Sequence, residues 1–261
     1  MDEQREGPNR AQSALIALVR ASVLRRGFFR KAMGDVVRWL GPDVVETTFR
    51  GARFRVHVGD NLTERDLLLN PCTDKEELDF LVDATPVGGV FVDIGANIGM
   101  YALVMAAALG GQGRVVAIEP DPLIRARLLA NAELSHAGNV TVCAEAAGDK
   151  DGEVSFARNE NNLGESQIVQ GGSVRVRMRP LTAILAEAKI DHIDSLKIDV
   201  EGYEDRVLLP FFREAPQSLW PRAVVIEHIH PEGWLDDCLA ELAARGYRTA
   251  KLGLYNAMLL R

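Results

Sequence analysis

Between residues 90 and 144 short apolar runs alternate with longer helical stretches, and that alternation restricts the folds open to the chain. Val90–Ile94, Arg114–Ile118 and Val140–Ala144 have strand length, and Met100–Leu109 and Pro122–Leu134 between them read as helices. Ser195–Val200 and Ala223–Ile226 repeat the pattern around a helix at Glu204–Phe212. Strands that are apolar along their whole length belong to parallel sheets covered on both faces. Their alternation with helices predicts an α/β fold built on a doubly wound sheet. Glu153–Phe156 and Val174–Met178 interrupt the pattern as extra antiparallel strands around a loop. Tyr247–Leu252 and Asn256–Leu260 predict an antiparallel C-terminal hairpin at the sheet edge.

Residues 1–72 read as an extension, and 73–261 as the main domain. The first ten residues are polar and expected to be disordered. Ala11–Leu40 reads as helix, with Leu15, Leu18, Val19 and Val23 at helical spacing, although Gly27 and Gly34 weaken a continuous one. Arg20, Arg25, Arg26, Arg30, Lys31 and Arg38 oppose only Asp35 there. The favoured reading is the solvated face of a helix packed on the main domain; the alternative is contact with anionic lipid or an acidic partner. Val44–Phe49 and Arg53–Val58 predict a β-hairpin. Thr73-Asp-Lys-Glu76 has the pattern of a capping box opening a helix that ends before Pro86.

Thirty Lys and Arg against thirty-seven Asp and Glu give a net charge of −7, which offers no basic nucleic-acid-binding surface. Cys72, Cys143 and Cys238 are far apart with no CxxC pair, which fits a reducing compartment and supplies no metal framework. The mainly apolar run Ile98–Leu109 is too short to span a bilayer. Asp2, Glu3 and Glu6 outweigh Arg5 and Arg10 ahead of the apolar segment Ala14–Val19, opposite to a secretory signal. A cytoplasmic protein is expected.

The chemistry concentrates at predicted strand ends. Phe91-Val-Asp-Ile-Gly-Ala-Asn-Ile-Gly99 delivers Asp93 to the end of a strand, and a turn from Gly95 through Asn97 to Gly99 leads into a helix. Ligands of open α/β sheets bind outside these carboxyl ends, where glycine lets a ligand approach the backbone. The spacing is G-x-x-x-G, not the G-x-G-x-x-G of dinucleotide folds. An acid two residues before the turn would repel a pyrophosphate and attract an ammonium group, such as that of S-adenosylmethionine. Glu119, followed by Pro120, ends the second strand and can accept hydrogen bonds from ribose hydroxyls. Ala144-Glu145-Ala146-Ala147-Gly148-Asp149 at the third strand end leaves room for an adenine, with Glu145 or Asp149 available to its amino group.

The fourth strand sets Asp199 and Glu201 on one side of an extended chain, where carboxylates can orient a hydroxyl or take its proton. The fifth ends at Glu227-His-Ile-His230, and His228 is a natural general base. Asp199, Glu201, Glu227 and His228 also have the chemistry of a hard-metal site, but no spacing demands one, and no metal is assigned.

These motifs together resemble the FkbM family of S-adenosylmethionine-dependent methyltransferases. The resemblance rests on Val92–Gly99, Ala117–Pro120 followed by Asn131, Ala146–Asp149 with Gly152, Leu181 with Ile193–Glu204, and Ile226-Glu-His228. It implies a Rossmann-like class I methyltransferase sheet of seven strands and methyl transfer to a hydroxyl of a sugar, glycoconjugate or secondary metabolite. Asn161–Gln167 would then be a lid or substrate loop. Asp93, Gly95, Asn97, Gly99, Glu119, Pro120, Glu145 and Ala146 are the expected cofactor-binding residues, and Asp199, Glu201 and His228 the catalytic ones. The rival readings are a non-catalytic S-adenosylmethionine-binding scaffold and a nicotinamide-dependent dehydrogenase.

Overall fold

The computed structural model describes residues 7–158, 166–168, 172–229 and 231–261. The chain opens with α1 (Arg10–Ala21), α2 (Gly27–Leu40), the hairpin β1 (Val44–Phe49) and β2 (Ala52–His57), then α3 (Leu62–Leu69) and α4 (Lys75–Ala84). Next come β3 (Val90–Ile94), α5 (Met100–Leu109), β4 (Arg114–Ile118), α6 (Pro122–Leu134) and β5 (Val140–Cys143). A small sheet follows from β6 (Ala146–Gly148), β7 (Gly152–Arg158), β8 (Ser166–Ile168) and β9 (Val174–Pro180), leading into α7 (Leu181–Glu187). The chain closes with β10 (Ser195–Ile198), α8 (Glu204–Glu214), β11 (Ala223–Glu227), α9 (Cys238–Ala244), β12 (Arg248–Leu252) and β13 (Asn256–Leu260).

The main sheet has the order β12-β13-β11-β10-β3-β4-β5. Only β13 runs antiparallel to its neighbours, so the expected doubly wound sheet and terminal hairpin are both present. Register decides what each face buries. Phe91, Val115, Ala117 and Val225 face the core beneath α4 and α5. Val92, Ile94, Leu196, Ile198, Val224 and Ile226 face the one beneath α7 and α8. Asp93 and Lys197 are register partners on neighbouring strands, so two ionisable groups lie side by side within a buried sheet.

The single helix expected over Ala11–Leu40 is broken into α1 and α2. Ser22 adopts extended backbone, a short 3-10 turn covers Val23–Arg25, and Gly27 takes φ +50°. The two helices fold back on each other, because the buried amide of Gln12 donates to the carbonyls of Val37 and Pro42. Order begins earlier than the polar composition suggests: Asn9 caps α1 through a reciprocal bond with Gln12, while residues 1–6 lie outside the described ones. The capping box at Thr73–Glu76 does not form. Asp74 occupies the cap position with φ +43° and makes no side-chain cap bond.

The extension is bonded into the main domain. The side chain of buried Asn131 accepts from the Arg55 amide of β2 at 2.7 Å and donates to the Ile98 carbonyl at 3.1 Å. One amide thereby fixes both the hairpin and the glycine turn to α6. Asn131→Leu leaves two buried backbone groups unpaired. It should cost about 2–4 kcal/mol of unfolding free energy in a urea titration, one lost partner being worth about 1–3 kcal/mol.

Candidate active site

The connections from β3 and β10 leave in opposite directions, which opens a crevice at their carboxyl ends. A cavity of about 220 Å³ lies there, lined by the turn after β3, the ends of β4 and β10, Leu62 and Thr63 of α3, and Phe156 and Tyr203. Gly95, Asn97, Glu119, Pro120, Ala146, Asp199 and Glu201 all line it.

The turn after β3 is bent by three residues of positive φ, Gly95 at +79°, Asn97 at +52° and Gly99 at +92°. Gly95 passes so close to β10 that a Cβ there would lie 1.9 Å from the Asp199 carbonyl oxygen. Only glycine permits this crossing. Glu119 then locks the turn: its two oxygens accept the amides of Asn97 and Asp121, each at 2.9 Å. Burial pushes the Glu119 carboxyl up to about 7 despite these bonds. From the extension, the Asn61 amide donates to Asn97 Oδ1 at 2.8 Å.

Asp93 is placed differently from expectation. It lies beneath the turn and outside the lining, with Oδ2 accepting the Ala102 amide of α5 at 3.0 Å. Its Oδ1 is buried and has no hydrogen-bond partner among the described residues. Burial pushes its carboxyl up to about 6, with the Lys197 ammonium working in the other direction.

Lys197 is the residue that sequence reasoning passed over. Buried on β10, it donates to Asp199 Oδ2 at 3.1 Å and sits 4.8 Å from the centre of the Tyr101 ring. Burial works against its charge, but Asp199, Asp93 and Glu227 together hold the ammonium above the ordinary lysine value. A lysine inside an otherwise apolar strand was the available signal. Asp74 and Tyr101 were also missed. The carboxylate that failed to cap α4 accepts the Tyr101 hydroxyl at 2.9 Å at the cavity wall, and burial raises its pKa.

Burial, with the Asp199 and Glu201 carboxylates nearby, pushes the Glu227 carboxyl upward. His228 does not reach the lining. Its backbone amide pairs with the Tyr255 carbonyl at 2.9 Å, and its Nε2 is buried without a partner among the described residues. Glu145 is also outside the lining, turned onto Arg179 at 3.3 Å. Gly99 is the cap of α5, packed on Leu103 and Leu128. Residues 161–165 of the expected substrate loop, and His230, lie outside the described residues; Ser166 and Gln167 pair with β7. Among the described residues no three His, Cys, Asp or Glu side chains are grouped to hold a metal ion. Beside Asp199 the positive charge is the Lys197 ammonium.

The lining is acidic. Asp74, Glu119, Asp121, Asp199 and Glu201 face Lys197 as the one cationic side chain among the described lining residues. Asp121 is neutralised by two 2.7 Å bonds from Arg158. The remaining surplus suits a cationic ligand and opposes a pyrophosphate.

The model of the methyltransferase FkbM domain matches residues 93–249. Over 163 residues, 48% of this chain, the sequence is 29% identical to the AMB antimetabolite synthetase AmbE of Pseudomonas aeruginosa, and it spans only 8% of that protein. Among solved structures, a precorrin-6y C5,15-methyltransferase from Geobacter metallireducens superposes with a TM-score of 0.46 at 15% identity, over 74% of this chain and 90% of that one. An O-methyltransferase from Bacillus cereus in complex with SAH gives 0.44 at 14% identity, over 72% and 81%.

Replacing Lys197 with Met strands Asp93 and Asp199 without their cation. The raised carboxyl of Asp93 contributes stability that is complete below its ordinary pKa and lost as pH rises through about 6. Removing the ammonium pushes that carboxyl higher still. Lys197→Met should therefore cost about 3 kcal/mol at pH 8, as for a broken buried pair, and measurably less at pH 5 in paired urea titrations.

Proposed function

This chain belongs to the methyltransferase FkbM domain family, and on that premise we propose that it methylates a hydroxyl group of a sugar, glycoconjugate or secondary metabolite. S-adenosylmethionine is the cofactor expected for such a chain. The observation that carries the reading is the acidic cavity at the sheet's carboxyl edge, with Glu119 and Asp199 on opposite walls of the glycine turn.

The residues present fit that cofactor. Glu119 has its oxygens oriented by two amides and retains lone pairs for ribose hydroxyls. The surplus carboxylates favour a ligand with ammonium and sulfonium charges, and Asp93 adds its field from beneath the turn through a buried, unpartnered oxygen. Gly95, Asn97 and Pro120 supply backbone beside Glu119, and Ala146 leaves space next to it. When bound, the cofactor supplies an activated methyl group.

Asp199 and Glu201 are proposed to receive the acceptor hydroxyl. Lys197 holds one oxygen of the Asp199 carboxylate, so the other can take the hydroxyl proton as attack proceeds. Positioning supplies most of the acceleration, and the base about 10²–10⁴-fold.

Isothermal titration with S-adenosylhomocysteine tests the cofactor site. Affinity should fall as pH drops through about 7, by up to about tenfold per unit, because Glu119 must be ionised to accept two hydroxyls. Glu119→Gln should bind weakly and lose that pH dependence; unchanged binding overturns the assignment. Asp199→Asn should lower kcat with a hydroxyl acceptor by about 10²–10⁴-fold while product affinity holds. Methylation of amines with no transfer to any hydroxyl in an acceptor panel would exclude the O-transfer reading.

A further inference from the structure

The paired helices α1 and α2 present a surface that the cavity does not explain. Phe28 is 81% exposed, Trp39 82% and Phe29 55%, and Val23, Leu18 and Val36 are exposed beside them. On α2 these are not scattered. Phe28, Ala32, Val36 and Trp39 follow at steps of four, four and three, and with Phe29 they fall within about 100° of one helix face. The opposite face, with Gly34 and Val37, is buried against the protein. An apolar stripe of this width normally faces a core; here it faces outward.

Charge identifies what covers it. Residues 10–40 carry seven basic side chains against Asp35, a net of +6 in a chain whose remainder is −13. Lys31 and Arg38 border the stripe with Asp35 between them, and Arg26 stands at the start of α2. Arg38 is paired with Asp43, but among the described residues no carboxylate lies within ion-pair reach of Arg26 or Lys31. Exposed phenylalanine and tryptophan rimmed by unpaired cations match the boundary between acyl chains and anionic headgroups. No helix of the described residues is long and apolar enough to cross a membrane.

We propose that the exposed face of α2, with Val23 and Arg26 at the preceding turn, docks the protein on an anionic lipid surface. This stands apart from the methyl-transfer reading and does not depend on it. A second copy of the chain is the competing occupant, but two faces each carrying Arg26 and Lys31 would repel across a symmetric contact.

Sedimentation of the full chain with vesicles tests the proposal. One set is phosphatidylcholine alone, and the other contains about a third phosphatidylglycerol. The protein should pellet with the anionic vesicles, and the Trp39 emission should shift to the blue. Phe28→Ser/Phe29→Ser/Trp39→Ser should reduce partitioning at least about tenfold. Arg26→Glu/Lys31→Glu should do the same and also abolish the salt sensitivity of binding. All these side chains are solvent-facing, so both variants should melt with the wild type, which separates lost docking from lost folding. Equal pelleting by wild type and variants, or no preference for anionic vesicles, overturns the proposal. So does a dimer in light scattering that the triple variant turns into monomers.

Discussion

A single ammonium group organises the carboxyl edge of the sheet. Parallel strands place residues of equal register side by side, so Asp93 on β3 and Lys197 on β10 are neighbours and feel each other's charge. Neither would be tolerated alone in an apolar sheet. Together they let the strands close, and two residues further on Asp199 emerges at the cavity already held by the same lysine. The acid that anchors α5, the cation and the carboxylate facing the site thus form one continuous row. Glu227 extends it to the next strand, its carboxyl pushed upward by burial and by Asp199.

The N-terminal extension supplies part of the cavity wall. Asn61 caps α3 and bonds Asn97, which places Leu62 and Thr63 in the cavity wall. On its other side α3 meets α2, where Arg30 pairs with Asp66 at 2.7 Å and the Arg65 side chain packs over Gly34. Glu64 ties the same helix to α6 through Arg127 at 2.7 Å, and burial pushes that carboxyl up to about 7. One short helix therefore connects the outward-facing aromatic stripe to the ligand cavity.

What could be read from the sequence was whatever the chain states locally. Apolar strands, the glycine turn and the acids at strand ends are contiguous patterns, so β3, β4, β10 and β11 and the cavity residues Glu119, Asp199 and Glu201 were legible. Roles created by contact between distant segments were not. Thr73–Glu76 looks like a capping box from the sequence, yet the chain puts Asp74 at the cap and Tyr101, 27 residues later, captures its carboxylate. His228 occupies a strand end that suggests catalysis, and the fold leaves it outside the cavity lining. The break in the N-terminal helix is not legible locally because it rests on distant contacts, Gln12 reaching Val37 and Pro42 and Asn9 reaching Leu40.

The surplus of carboxylates around the cavity bears on what happens after a reaction, not only before it. A sulfonium donor arrives with one more positive charge than the thioether it becomes. On the proposed reading, the wall that draws the donor in loses part of its hold once the methyl group has gone. Exchange of spent for fresh cofactor would then be biased by charge, the acidic wall working against product inhibition.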